Sequence, residues 1–179
     1  MTKLTIILCA FIATTGCADT AKPKKTADAP GARIGTYDSR AIAVASVGSK
    51  VFKQYMADLQ SRHEKAKAAG DSKLIAKLEA EGASQQKLLH KQGFSTAPVD
   101  NILEHIADQL PKIKEQAKVD IIVSKWNEKE LSKHKSAELT DITMALVEAF
   151  EPNAKQKKHA VEIQKHKPVP LEQMKSHKH

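Results

Sequence analysis

Lys118-Val119-Asp120-Ile121-Ile122-Val123-Ser124-Lys125 is a short β-branched run between two lysines, with helical sequence on either side. β-Branched side chains lose χ1 freedom in a helix and pack well on a pleated surface, so this run reads as a strand. The one other extended stretch able to pair with it is Arg33-Ile34-Gly35-Thr36-Tyr37, far upstream. The long helical stretch between them must leave the sheet and come back. The expected fold class is therefore α+β and mostly helical, with short β-strands forming a small body and a projecting antiparallel helical hairpin. Two short strands alone make a marginal sheet, so something must cover their edges.

The helical part is read from periodicity. Asp38 or Ser39 serves as an N-cap, and residues 40–47, rich in Ala, Ile and Val, suit a buried helix start. From Lys50 onward Phe52, Met56, Leu59, His63 and Ala66 recur at spacings of four and three, which is one helix face. Ala69-Gly70-Asp71-Ser72 is a reversal, with Gly70 closing one helix and Asp71 or Ser72 opening the next. Leu74, Leu78, Gln85 and Leu88 with Leu89 continue a second stripe, completing the hairpin.

Residues 92–98 interrupt it, because Gly93 and Pro98 do not both fit inside a regular helix, and Phe94 is expected to pack back onto the hairpin. A third helix then places Val99, Ile102, Leu103, Ile106, Leu110 and Ile113 on one face, kinked or restarted at Pro111. Past the second strand, Trp126 precedes a charged segment, 127–135, that reads as irregular. Leu139-Thr140-Asp141-Ile142-Thr143 leads into a short helix with Ile142, Ala145, Leu146 and Phe150 as its apolar residues. Residues 153–179, Lys- and His-rich with Pro168 and Pro170, read as a basic disordered tail.

The chain begins with Met1-Thr2-Lys3, an apolar run over residues 4–13, and Thr14-Thr15-Gly16-Cys17. Ten apolar-rich residues are too few to cross a bilayer, which takes about 20 residues of helix. The order of charge, apolar core and small residues is that of a secretory signal peptide, residues 1–18. Two cleavage patterns fit. Gly16-Cys17 is similar to the end of a bacterial lipobox, which would make Cys17 a lipidated first residue, although Thr14 stands where that pattern prefers leucine. A cut after Ala18 fits as well, with Gly16 and Ala18 at the small positions. Residues 19–33, polar and rich in Pro and Ala, read as a flexible linker to a domain over 34–152. The only two cysteines are Cys9 and Cys17, so that domain forms no internal disulfide.

The net charge of +8 has to be located before it is interpreted. Residues 34–152 hold 17 Lys and Arg against 17 Asp and Glu, so the folded body is neutral and the excess lies at the two ends. A nucleic-acid domain carries its basic residues on the fold, interleaved with stacking aromatics, and aromatics are only 4% of this chain. No nucleic-acid partner is expected. The basic ends suit an anionic envelope surface, or serve solubility alone.

Tyr37-Asp38-Ser39-Arg40 puts polar side chains at a strand-to-helix junction, where an anion could sit on the helix end, so Tyr37, Asp38 and Arg40 are candidate ligand-binding residues. The alternative is structural: Asp38 caps, Arg40 pairs with a carboxylate and Tyr37 packs. His63, His90 and His105, with Glu104 and Asp108, have no accompanying Cys and no H-E-x-x-H, so no metal and no cofactor are expected. The tail histidines His159, His166, His177 and His179 suit weak transition-metal binding at most. With no G-x-S-x-G, no phosphate-loop glycines and no thiol in the domain, no catalytic residues are assigned and an enzyme is not expected.

The order of parts, a strand ending in Tyr37-Asp38, a helical middle, the strand Val119-Asp120-Ile121-Ile122-Val123, and Leu139-Thr140-Asp141-Ile142-Thr143 before a last helix, resembles the Skp/OmpH family of periplasmic chaperones. The resemblance covers most of residues 34–150 through short motifs. It implies a homotrimer whose chains pool their strands in a central β body while the hairpins project as arms around unfolded outer-membrane clients. Phe52, Met56 and Leu59 are then the candidate client-contact residues. Two other expectations stand beside it: a structural lipoprotein that contacts cell wall or anionic membrane through its basic tail, and a small enzyme or ligand-binding protein centred on Tyr37 to Arg40. The location implied is the periplasm of a bacterium, or its envelope with a membrane anchor.

Overall fold

The computed structural model of the chain describes residues 31–175. β1 (Arg33–Tyr37), β2 (Ile121–Ser124) and β3 (Glu138–Asp141) form one sheet in the order β2-β1-β3. Both pairings are parallel. On one side of β1, Ile34 lies opposite Ile121 and Tyr37 opposite Ser124; on the other, Arg33 lies opposite Glu138 and Thr36 opposite Asp141. Parallel neighbours cannot be joined by a tight turn, so each connection must cross over. The first carries α1 (Ser39–Ser46), α2 (Lys50–Ala68), α3 (Ser72–Phe94), α4 (Asp100–Leu103) and α5 (Leu110–Ala117). The second carries α6 (Glu128–Leu131) and a 3-10 turn over Ser132–His134; α7 (Thr143–Glu148) and α8 (Ala154–Ile163) follow β3. The described chain is mostly helical with a small sheet, as the sequence indicates.

A central parallel strand is covered on both faces. In β1, Ile34, Gly35 and Tyr37 are all buried. Gly35 is there because of a close approach: a Cβ would stand 2.7 Å from Ile142 Cδ1 and 3.1 Å from Val119 Cγ2. α1 is buried on nearly every side, which its run of Ala, Ile and Val permits. Around it the core gathers Val99, Ile102 and Ile106, Ile113 of α5, Ile142, Leu146 and Val147 of α7, and Ala160 of α8. Pro111 is the second residue of α5, where its missing N–H leaves no broken bond.

α2 closes at Gly70, whose φ of +67° is open to glycine without strain; there Asp71 N donates to Ala66 O at 3.0 Å. Asp71 then opens α3, its side chain accepting from Leu74 N at 2.9 Å. α2 and α3 pack together through Leu59, Ala66 and Leu78. Beside that contact the Glu81 carboxylate accepts from Arg62 at 2.9 Å and from the Tyr55 hydroxyl at 3.2 Å.

Four expectations are corrected. A third strand, β3, occupies residues read as the approach to a helix; Glu138-Leu139-Thr140-Asp141 is mostly exposed and is extended because β1 offers it an edge. Within 127–135, residues 128–134 are helical, with Asn127 capping α6 through a bond from Glu130 N at 3.1 Å. α3 runs through Gly93 to Phe94, and Phe94 is 52% exposed, its ring meeting the His90 ring one turn back on α3 at 5.9 Å without being covered. Residues 153–163 are not a disordered tail: Asn153 and Gln156 form a capping box, and α8 packs Ala160, fully buried, into the core. Beyond α8, Val169 N donates to Phe94 O at 2.8 Å. The signal segment, Cys17 and most of the linker lie outside the described residues, as do His177 and His179.

Candidate functional site

Tyr37, Asp38 and Arg40 stand where β1 ends and α1 begins. Asp38 caps α1 by accepting from Arg40 N at 3.0 Å. Its carboxylate also takes the Arg40 guanidinium on both oxygens, Nε at 3.0 Å and Nη2 at 2.7 Å, a two-pronged arrangement stronger than a single contact. β2 delivers two further donors to the same group: Lys125 Nζ at 2.7 Å and Trp126 Nε1 at 3.3 Å. Arg40 Nη1 donates to the His166 carbonyl at 2.9 Å. Both cations lie against the Trp126 ring, 5.1 Å for Arg40 and 4.8 Å for Lys125 from its centroid. The backbone N–H of Asp38 donates to Thr143 Oγ1 at 2.9 Å, which ties the junction to α7.

Asp38 and Arg40 are 0% and 1% exposed. Burial alone would raise the Asp38 pKa; the hydrogen bonds and charges of Arg40 and Lys125 outweigh it and hold the carboxyl below its ordinary 3.8. The geometry matches the structural alternative for this junction: Asp38 caps, and the carboxylate that Arg40 meets is Asp38 itself. Arg40's donors are committed inside the fold. Tyr37 is buried in the core, and its phenol is pushed up to about 12 by burial first and by the Asp100 charge second.

Lys125, Trp126 and Thr143 belong to this cluster and were not singled out in the sequence. The signal for the first two is the parallel register. Tyr37 opposite Ser124 brings the next residues, Asp38 and Lys125, level with each other.

The candidate contact residues Phe52, Met56 and Leu59 line a second place, a groove of about 590 Å³ with Val47, His63 and Leu78. Its wall is more apolar than polar. Val47 and Met56 are 45% and 41% exposed, and Phe52 is half-buried. Leu59 is buried at 7%, so its surface is used against α3 and it forms the floor of the groove instead of a contact point.

The histidines are not brought together. His63 lies 3.5 Å from Glu79, and His105 sits in the 3-10 turn over Glu104–Ile106. Among the described residues no three His, Cys, Asp or Glu form a group able to hold a metal ion. His159 and His166 are exposed on and after α8. No described helix is long and apolar enough to cross a membrane. Comparisons with protein-family models, with curated proteins and with solved structures found no match.

Proposed function

We propose that the chain is an exported envelope protein of the Skp/OmpH-like type, a binding or chaperone module for unfolded or membrane-associated proteins and not an enzyme. In this reading α2 and α3 are a projecting antiparallel hairpin, and the groove along α2 receives apolar segments of the client. The observation that carries it is the apolar surface left in water by Val47 and Met56 beside half-buried Phe52. A fold that needed these residues only for its own core would cover them.

Assembly as a homotrimer is part of the proposal. It is supported by the outer edges of β2 and β3, which pair with nothing among the described residues, and by Leu139 on β3, 57% exposed. Export through residues 1–18, with Cys17 as a lipid anchor or cleavage after Ala18, places this module in the periplasm or on an envelope membrane.

A second reading, a structural lipoprotein that holds anionic membrane or wall through its basic end, draws on the exposed lysines Lys155, Lys158, Lys165 and Lys167. Because α8 is part of the core, deletion of the whole end cannot test it. Replacing those four lysines by glutamine can. The experiment that separates the readings follows aggregation of a urea-unfolded outer-membrane β-barrel protein diluted into buffer with the full chain in excess. The chaperone reading expects light scattering to be suppressed equally by parent and lysine variant. Unchanged scattering with the parent removes it.

A further inference from the structure

At the carboxyl ends of β1 and β2, and sharing Trp126 with the Asp38 cluster, lies a cavity of about 370 Å³. Crevices at the carboxyl ends of parallel strands are where open parallel sheets bind ligands. Its size falls within the range of small-molecule sites. Unlike the α2 groove, its wall is more polar than apolar.

Two of its polar groups make no side-chain hydrogen bond or ion pair among the described residues. Tyr37 is 6% exposed as a residue, but its hydroxyl makes no hydrogen bond to the described residues and is not among the side-chain oxygens shut off from solvent, so it opens on the cavity. Asp100, exposed in the first turn of α4, carries a carboxylate with no cation within ion-pair distance among those residues; its charge is felt at Tyr37. The other acid of the cavity, Glu130, is already engaged by Lys133 and lies 3.8 Å from His134. Ser124 Oγ accepts from Trp126 N at 3.4 Å and keeps its proton to donate. Thr96 adds a second hydroxyl to the wall.

We propose that this cavity binds a small hydroxylated primary amine of amino-sugar type. One uncompensated carboxylate calls for one positive charge, so the ammonium group meets Asp100. A phenol that stays protonated to about 12 is a donor, so Tyr37 meets a neutral ligand oxygen. The hydroxyls of Thr96 and Ser124 and the polar wall favour a ligand bearing several hydroxyl groups over an apolar amine. The site is independent of the client groove and stands or falls separately.

Trp126 lines the cavity and is the only tryptophan of the chain, so its emission reports occupancy. The full-length protein is titrated with glucosamine, and with glucose and N-acetylglucosamine, which lack the positive charge. The expected result is a saturable change with glucosamine at a Kd on the order of millimolar, with the neutral sugars about tenfold weaker or worse. Asp100→Asn, at an exposed position, is expected to fold as the parent does and to lose about tenfold in glucosamine affinity. Tyr37→Phe removes no bond of the fold, so its unfolding midpoint holds or rises while affinity falls about fivefold. Equal responses to glucosamine and glucose, or no saturable response, overturn the proposal. Undiminished binding by Asp100→Asn does so too, and a Tyr37→Phe protein of lowered midpoint would show that the hydroxyl is already used within the fold.

Discussion

Replacing Asp38 by asparagine withdraws one negative charge from between two cations while keeping the volume and an acceptor for Arg40 N. Asparagine is as good an N-cap as aspartate, so the cap itself contributes little to the change. The cost comes from Arg40, 1% exposed and unable to reach water, which is left with its charge uncompensated. Lys125, 30% exposed, can turn outward and escapes most of the penalty. Removing one partner of a buried pair costs about 3–5 kcal/mol. Against a total stability on the order of 5–15 kcal/mol, that is a large share. With a urea slope of about 1–3 kcal/mol per molar, the midpoint falls by at least about 1 M, and the slope itself is unchanged. Trp126 emission follows the transition, since the ring touches the cluster. Adding Arg40→Met to the Asp38→Asn protein removes the stranded charge and recovers part of the loss. A loss below about 1 kcal/mol would refute the reasoning, because a surface ion pair behaves that way and a buried one does not.

The same carboxyl sets an acid limit. Between its depressed native pKa and 3.8 the unfolded chain binds a proton that the folded chain does not, so the contribution is complete above that window and fades as pH falls through it; urea midpoints measured from pH 6 down to pH 3 check this, and Asp38→Asn flattens the Asp38 share of the fall. Ala160→Glu, at a fully buried position of α8, should lower stability by at least about 2 kcal/mol, whereas an end that was merely a tail would not respond. Light scattering coupled to size exclusion should return three times the chain mass, and Leu139→Lys on the β3 edge should shift it toward one; a parent protein of single-chain mass would overturn the trimer.

Where the sequence carried a period or a cap, it was legible. Phe52, Met56, Leu59 and Ala66 mark α2 by their spacing, with Leu59 and Ala66 making the contact to α3 while Met56 stays exposed; Gly70 and Asp71 mark the turn, and the β-branched residues 121–123 mark β2. β3 escaped because Glu138-Leu139-Thr140-Asp141 has no strand preference of its own and takes its conformation from hydrogen bonds to β1. α8 escaped for a related reason. Its lysines face water and match a solvated tail, while the packing that holds it rests on Ala160 and on the neighbouring α1, neither conspicuous in a Lys- and His-rich stretch. At the junction, Asp38 as cap was readable from its position, but its second and third partners depend on strand register. Lys125 becomes a neighbour of Asp38 only once β1 and β2 are known to run parallel with Tyr37 beside Ser124.

The claim that matters most is that an unfolded client lies along α2. A photoreactive benzoylphenylalanine at position 56, in place of Met56, compared with the same group in place of Lys129 on exposed α6, tests it in one gel with a urea-unfolded outer-membrane β-barrel protein. The account predicts a client adduct at position 56 and none at 129. Equal adducts at both positions, or none at either, would contradict it.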